Sequence, residues 1–222
     1  QLIHSHASDD EIGKIYTADL PLHAGPNRIA AALAGLSAGQ PDGRAEWYDA
    51  ARDAYLQSLQ PPAQPGDVDM GVITAHIQAQ LPDDAIITHG AGNFAIWANK
   101  FMQFGRDQRL LGPQSGSMGF GVPAALAAKA HDSSRFVLCF AGDGDFQMNG
   151  TELGTALQAG LHPVILILNN SSYGTIRMHQ EREYPARVSG TEIVNPDYVA
   201  LAGAYGFHGE RVTRTNDFAA AY

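Results

Sequence analysis

The stretch FAGDGDFQMNG, residues 140–150, places Asp143 between Gly142 and Gly144 at the end of an apolar run. An acid there is either a solvated turn residue, since Asp and Gly tolerate tight backbone geometry and positive φ, or a ligand. A second polar cluster, Asn169-Asn170-Ser171-Ser172, follows the apolar run PVILIL, and Asn170 stands 27 positions after Asp143. If both runs are neighbouring parallel strands, a carboxylate and an amide oxygen meet at adjacent strand tips. Such oxygens are hard donors suited to Mg²⁺, which keeps open positions for phosphate oxygens and water. Gly142 and Gly144 let backbone approach a phosphate closely, and a helix beginning near Asn149 would turn its positive end toward the same place.

Other residues compete for a chemical role. Gly90, Gly92 and Ala95 in ITHGAGNFA satisfy the G-x-G-x-x-A pattern of nicotinamide-dinucleotide binders. No acid follows at the distance that pattern needs, because Asp107 comes too early. Among nine histidines, His4 and His6 are the close pair, and no Cys or second His pair with ligand spacing supports zinc there. His89, at a strand tip, reads as hydrogen-bonded structure before it reads as acid or base. Arg177, His179 and Gln180 either line a substrate pocket or form a solvated helix face.

These residues need a scaffold, and the chain alternates accordingly. Expected elements are a helix over 69–80, a strand 85–89, a helix 92–102, a short strand near 109, a helix 121–130 and a strand 135–141. A helix 150–159, a strand 163–168, a short helix at 175–180, a helix 196–205 and a strand near 207–212 follow, with Asn216 as the N-cap of a last helix. The strands are continuous apolar runs, as burial on both faces of a parallel sheet requires. The expected fold is α/β: a doubly wound parallel sheet with helices on both faces, whose ligands bind beyond the carboxyl ends of the strands.

Upstream, a strand over 2–6, a short helix from Asp9 or Asp10 and a helix over 27–36 cannot bury themselves. Residues 1–39 therefore read as the end of a preceding α/β domain. The segment SAGQPDG breaks the pattern, and residues 40–67 read as a helix and a Pro-rich linker ahead of a main domain over 68–222. Both ends of the chain are expected to be cut.

Composition excludes several classes. The 222 residues are 45% apolar with 24 Gly and 12 Pro, room for one large domain or one domain plus part of another. A net charge of −9 without a basic cluster argues against a nucleic-acid partner. Cys139 is the single cysteine and lies in an apolar stretch, so a buried, unreactive thiol in a reducing cytoplasm is expected. No run approaches the roughly twenty apolar residues of a membrane span, and Gln1 opens no secretory pattern.

The GDG at 142–144, 24 intervening residues and the NN at 169–170 resemble the signature of thiamine-diphosphate enzymes, and GPQSGSMGFGVPAALAAK is similar to their cofactor-facing loop. Through GDGDFQMNGTELGTALQAGLHPVILILNN the chain looks most like the acetolactate synthase-like members. The resemblance implies that Asp143, the Asn170 side chain and the Ser172 carbonyl hold Mg²⁺. It implies that Gly92, Asn93, Phe94, Gly142, Gly144, Asp145 and Gly174 stand at the diphosphate, and Gly116, Ser117 and Met118 at the aminopyrimidine ring, with Met118 as a buttress. It further implies decarboxylation and carboligation of 2-keto acids, or a 2-keto acid decarboxylase or lyase. By the same resemblance the activating Glu is expected on a pyrimidine-binding domain outside this chain, supplied by a longer chain or a partner subunit in a homodimer or homotetramer. FAD is an option for the central domain, and a non-catalytic cofactor-binding fragment is the remaining alternative. Two departures bear on the substrate: Met178 and His179 stand where the biosynthetic synthases usually carry Trp, and Phe94 stands where they often carry His.

Overall fold

The computed structural model describes residues 1–37, 39 and 43–222. The chain divides into two compact units, Gln1–Ala54 and Tyr55–Tyr222. The break expected at 37–43 falls largely on positions 38 and 40–42, outside the described residues.

The first unit holds β1 (Ile3–His6), a 3₁₀ turn at Asp9–Glu11, β2 (Leu20–His23) and α1 (Pro26–Ala34). β1 and β2 pair in parallel, with His4 opposite Pro21 and His6 opposite His23. The sequence reading missed β2, because a proline at its second position argues against a strand unless the strand lies at an edge. None of this unit's described residues is buried, and Ile15, Tyr16, Leu33 and Leu36 are all exposed. α2 (Arg44–Ser58) follows.

The second unit is built on one parallel sheet. Its elements are α3 (Met70–Gln80), β3 (Ile86–His89), α4 (Ile96–Phe101), β4 (Arg109–Leu111), α5 (Gly121–His131) and β5 (Val137–Gly142). Then come α6 (Asp143–Asn149), α7 (Leu153–Ala159), β6 (Val164–Leu168), α8 (Gly174–Glu183), α9 (Tyr198–Ala204) and α10 (Phe218–Ala221). The strand order is β4-β3-β5-β6. From β3 the chain steps outward to β4 and then returns to place β5 on the other side of β3. The tips of β3 and β5 therefore flank a topological switch point, the crevice where open α/β sheets bind ligands.

Burial on both faces explains the apolar runs. Ile86, Val137, Cys139 and Ala141 pack on one face against Val122, Ala125 and Ala128 of α5. On the other face Ile87, Leu138 and Phe140 pack against Ile73 and Ile77 of α3, Ala98 of α4 and Phe218. All six residues of β5 are buried, and a fully buried Phe140 alone contributes about 1.5–3 kcal/mol of apolar burial. Among the described residues no helix is long and apolar enough to cross a membrane.

Several expected elements are corrected. The helix expected over 150–159 is preceded by one starting at Asp143, and a 3₁₀ turn at Gly150–Glu152 joins the two. The 92–102 helix is a 3₁₀ turn at Asn93–Ala95 followed by α4. No strand forms at 207–212; Phe207 and Val212 pack against the two core clusters without joining the ladder. Asn216 sits inside a 3₁₀ turn, Thr215–Asp217, and does not cap a helix.

Candidate functional site

β5 runs into α6 without a loop. Gly142 is the helix N-cap and Asp143 and Asp145 are in the first turn, where acidic side chains complement the helix dipole. The glycines around Asp143 answer first to this chain's own side chains. A Cβ on Gly142 would lie 2.7 Å from the Phe94 ring, and one on Gly144 would lie 2.5 Å from the Tyr173 ring.

Asp143 is 3% exposed. Its Oδ2 accepts a hydrogen bond from Asn195 Nδ2 at 2.7 Å, while Oδ1 has no hydrogen-bond partner and the carboxylate no ion pair among the described residues. β5 and β6 pair up to Gly142 and Leu168, so the polar cluster after β6 starts beside Asp143. There Asn170 Oδ1 accepts from Ser172 N at 3.0 Å, and the Ser172 carbonyl accepts from Gly174 N at 2.8 Å. Each of these oxygens keeps a second lone pair. Ser172 Oγ is buried without a partner, and Ser171 takes the left-handed conformation at φ 53°. A buried carboxylate without a cationic partner, linked through Asn195 to the start of a cluster of amide and carbonyl oxygens, is a donor set that fits a hard divalent cation.

Asp145 turns to other partners. It is 2% exposed, and its Oδ1 accepts from Ala91 N at 3.0 Å and Gly119 N at 2.8 Å. Burial pushes its carboxyl up, against the opposing pull of the Gly119 and Ala91 amides and of His89. The side chain thus fastens the loop after β3 to the loop before α5. What remains to meet an anion in the first turn of α6 is main-chain N–H, since the first four such groups of a helix have no helical acceptor.

The loop after β3 is tied to α8. Asn93 N donates to Thr175 Oγ1 at 2.9 Å, and Thr175 Oγ1 donates to Asn93 Oδ1 at 3.0 Å. Gly116 stands at φ 69° in the turn SGSMG, with a Ser115–Ser117 hydroxyl contact of 3.1 Å.

Gly92, Asn93, Phe94, Gly116, Met118, Gly142, Asp143, Gly144, Asp145, Asn170, Ser172 and Gly174 all line one groove of about 2210 Å³; Ser117 does not. The groove exceeds the roughly 300–1,000 Å³ of a fitted small-molecule pocket because it also follows β6 and residues 206–213. Arg177, His179 and Gln180 are not among its lining residues. His179 is engaged by Arg182 at 2.9 Å, and Gln180 holds Ser189 N at 2.9 Å. His89 bonds the Gly90 carbonyl through Nδ1 at 2.6 Å and Asn99 of α4 through Nε2 at 3.0 Å, so both ring nitrogens are engaged in structure. In the dinucleotide-like pattern Gly90 is small for the sake of this chain's own side chain: a Cβ there would run into the Asp145 carboxylate.

Sequence reasoning missed Asn195, which donates to Asp143 and, at 2.8 Å, to Asn169 Oδ1. Gln147 Nε2 and the Tyr198 hydroxyl bond its own Oδ1 at 2.7 and 3.0 Å. Its local signal was NPDY, an Asn before Pro196 and the helix-capping Asp197, whose Oδ1 accepts from Val199 N at 2.9 Å.

Comparison with known proteins places this architecture. The chain is 30% identical over 223 residues to the acetolactate synthase isozyme 2 large subunit of Escherichia coli (strain K12), covering 99% of this chain and 40% of that protein. It is 31% identical over 233 residues to the acetolactate synthase large subunit of Corynebacterium glutamicum, covering 98% of this chain and 36% of the relative. The Parasynechococcus marenigrum large subunit gives 32% over 221 residues, 96% of this chain and 35% of the relative. The chain thus spans well under half the length of these relatives. Residues 90–222 match the family model described as thiamine pyrophosphate enzyme, C-terminal TPP binding domain. That match takes in the tips of β5 and β6 with everything between them, and the chain belongs to the thiamine pyrophosphate enzyme family.

Proposed function

We propose that this chain supplies the diphosphate- and Mg²⁺-binding half of an acetolactate synthase-like active site that decarboxylates a 2-keto acid and transfers the remaining fragment to a second carbonyl. The observation that carries this reading is Asp143: a buried carboxylate at the switch-point crevice, tied through the neutral Asn195 amide to the polar cluster after β6. The names of the relatives support the reaction class.

In this reading Asp143, the Asn170 side chain and the Ser172 carbonyl hold Mg²⁺. Main-chain N–H groups of Gly144 and Asp145, together with the Gly92-Asn93-Phe94 and Gly174 turns, take the diphosphate oxygens, as helix N-termini do. The Gly116 carbonyl and Met118 N–H meet the aminopyrimidine, the Met118 side chain buttresses it, and Ser117 stands in the same turn. When bound, thiamine diphosphate supplies the nucleophilic thiazolium carbon that 2-keto acid chemistry needs. This chain's residues bind and orient; the activating Glu comes from a pyrimidine-binding domain of a longer chain or of a partner subunit in a homodimer or homotetramer. FAD is an option for the central domain that residues 1–39 would end. The setting is cytoplasmic.

A thermal-shift titration tests the reading. Thiamine diphosphate with Mg²⁺ is expected to raise the melting temperature, since ligand at about 100 times its Kd stabilises the native state by ~2.7 kcal/mol. EDTA should cancel the shift and NADH should give none. Stabilisation by NADH alone would sink the proposal. Carboligation on adding the pyrimidine-binding domain distinguishes an enzyme half from a binding fragment.

A further inference from the structure

The Asp143 carboxylate is oriented by a residue that comes from outside the two strand tips. Asn195 Nδ2 stands 2.7 Å from Asp143 Oδ2 and 2.8 Å from Asn169 Oδ1. An amide nitrogen carries two hydrogens, so this one group donates at the β5–α6 junction and at the end of β6 together. Its orientation is not free. Gln147 Nε2 at 2.7 Å and the Tyr198 hydroxyl at 3.0 Å both donate to Asn195 Oδ1, and a flipped amide would set its oxygen against the Asp143 carboxylate, which only accepts. The backbone is fixed as well: Pro196 limits the residue before it to extended conformations, and Asp197 caps α9.

The chemistry of the donor matters. A lysine or arginine at this place would orient Asp143 equally well but would neutralise it. An asparagine directs the carboxylate with neutral N–H groups, leaving its full charge and its Oδ1 for a cation. We infer that Asn195 is the positioning residue that holds Asp143 in its metal-ready rotamer and fixes the spacing of the β5 and β6 tips. The inference rests on the proposed Mg²⁺ role of Asp143 and extends it to a residue outside the GDG and NN motifs.

The test uses the chain with Mn²⁺ as probe, free Mn²⁺ being read by electron paramagnetic resonance in the presence of thiamine diphosphate. Asn195→Ala should raise the Mn²⁺ Kd about tenfold or more, while the thiamine diphosphate Kd at saturating Mn²⁺ stays within about twofold of wild type. Tyr198→Phe keeps its ring against Phe146, 5.5 Å between centroids, and removes the hydroxyl that lies 3.0 Å from Asn195 Oδ1 and 3.3 Å from the Asp143 carbonyl. It should raise the Mn²⁺ Kd about threefold, and it carries the test if the alanine variant does not fold. A merely structural Asn195 would weaken metal and cofactor together and lower the melting temperature. That result, or wild-type Mn²⁺ affinity in the folded variants, overturns the inference. Wild-type chain that binds neither Mn²⁺ nor thiamine diphosphate overturns the proposed function, and this inference with it.

Discussion

Asp143 and Asp145, two residues apart in the first turn of α6, commit their carboxylates to different parts of the molecule. Asp143 Oδ2 takes the Asn195 amide at 2.7 Å, and Asp145 Oδ1 takes the main-chain amides of Ala91 and Gly119 at 3.0 and 2.8 Å. A helix turns each residue by about 100°, so alternate acids on one turn face nearly opposite ways. Each keeps one oxygen without a hydrogen-bond partner, but Asp143 is linked through Asn195 to the polar cluster after β6, whereas Asp145 fastens the loops after β3 and before α5 and its Oδ2 is buried there.

Replacement of the first acid tests its metal role. Asp143→Ala should weaken Mg²⁺-dependent binding of thiamine diphosphate on the order of 100-fold or more, ~2.7 kcal/mol, with circular dichroism unchanged. Isothermal titration calorimetry measures it, and wild-type affinity in the variant would count against the assignment of Asp143 to the metal.

The fastening role of the second acid predicts unequal costs at two glycines. A methyl group at Gly90 would occupy the Asp145 carboxylate's place, so Gly90→Ala should cost about 2–4 kcal/mol in urea unfolding through lost amide bonds to a buried acid. Gly116 has φ 69° and open space around a Cβ, so Gly116→Ala should cost only the ~1–2 kcal/mol of a left-handed non-glycine residue. Equal costs would contradict the packing at Gly90.

The capping acid beside Asn195 sets an acid-side dependence. The Ala200 and Val199 amides, then Arg211, hold the Asp197 carboxyl below the usual carboxylate range. Because its folded value lies below its unfolded one, its contribution is complete above the ordinary carboxylate range and is lost as pH falls through the lowered value. The stability difference between wild type and Asp197→Asn should be constant near neutrality and shrink in acid. Urea midpoints measured across that range check this, and a difference that grows in acid refutes it.

Cys139 is 0% exposed and burial pushes its thiol up to about 12. The thiolate is the reactive form, so a disulfide reagent at pH 8 should label the native chain only as fast as it opens, and label it fully in urea. Rapid stoichiometric labelling of the native chain would show that the thiol is not enclosed as described.

Much of the scaffold was legible because burial writes itself into strand composition. IITH, VLCFAG and VILIL are apolar runs, and they became β3, β5 and β6. The spacing of Asp143 and Asn170 around one crossover likewise put both at neighbouring tips. α6 was not legible as a helix from its first residue, because two glycines flank Asp143 and glycine reads as turn. β2 was hidden by Pro21. A strand was expected near 207–212, but local sequence cannot say whether a neighbouring strand accepts the ladder's hydrogen bonds, and among the described residues none does.

The sequence by itself determined which residue types stand at the strand ends, and hence the hard-oxygen chemistry available there, because side-chain chemistry and strand burial are local properties. Only the tertiary structure decided their partners. Asn195 reaches Asp143 across 52 positions of chain and Ala91 reaches Asp145 across 54. Hydrogen bonds of that range depend on where the crossovers lay distant segments, which no local pattern records.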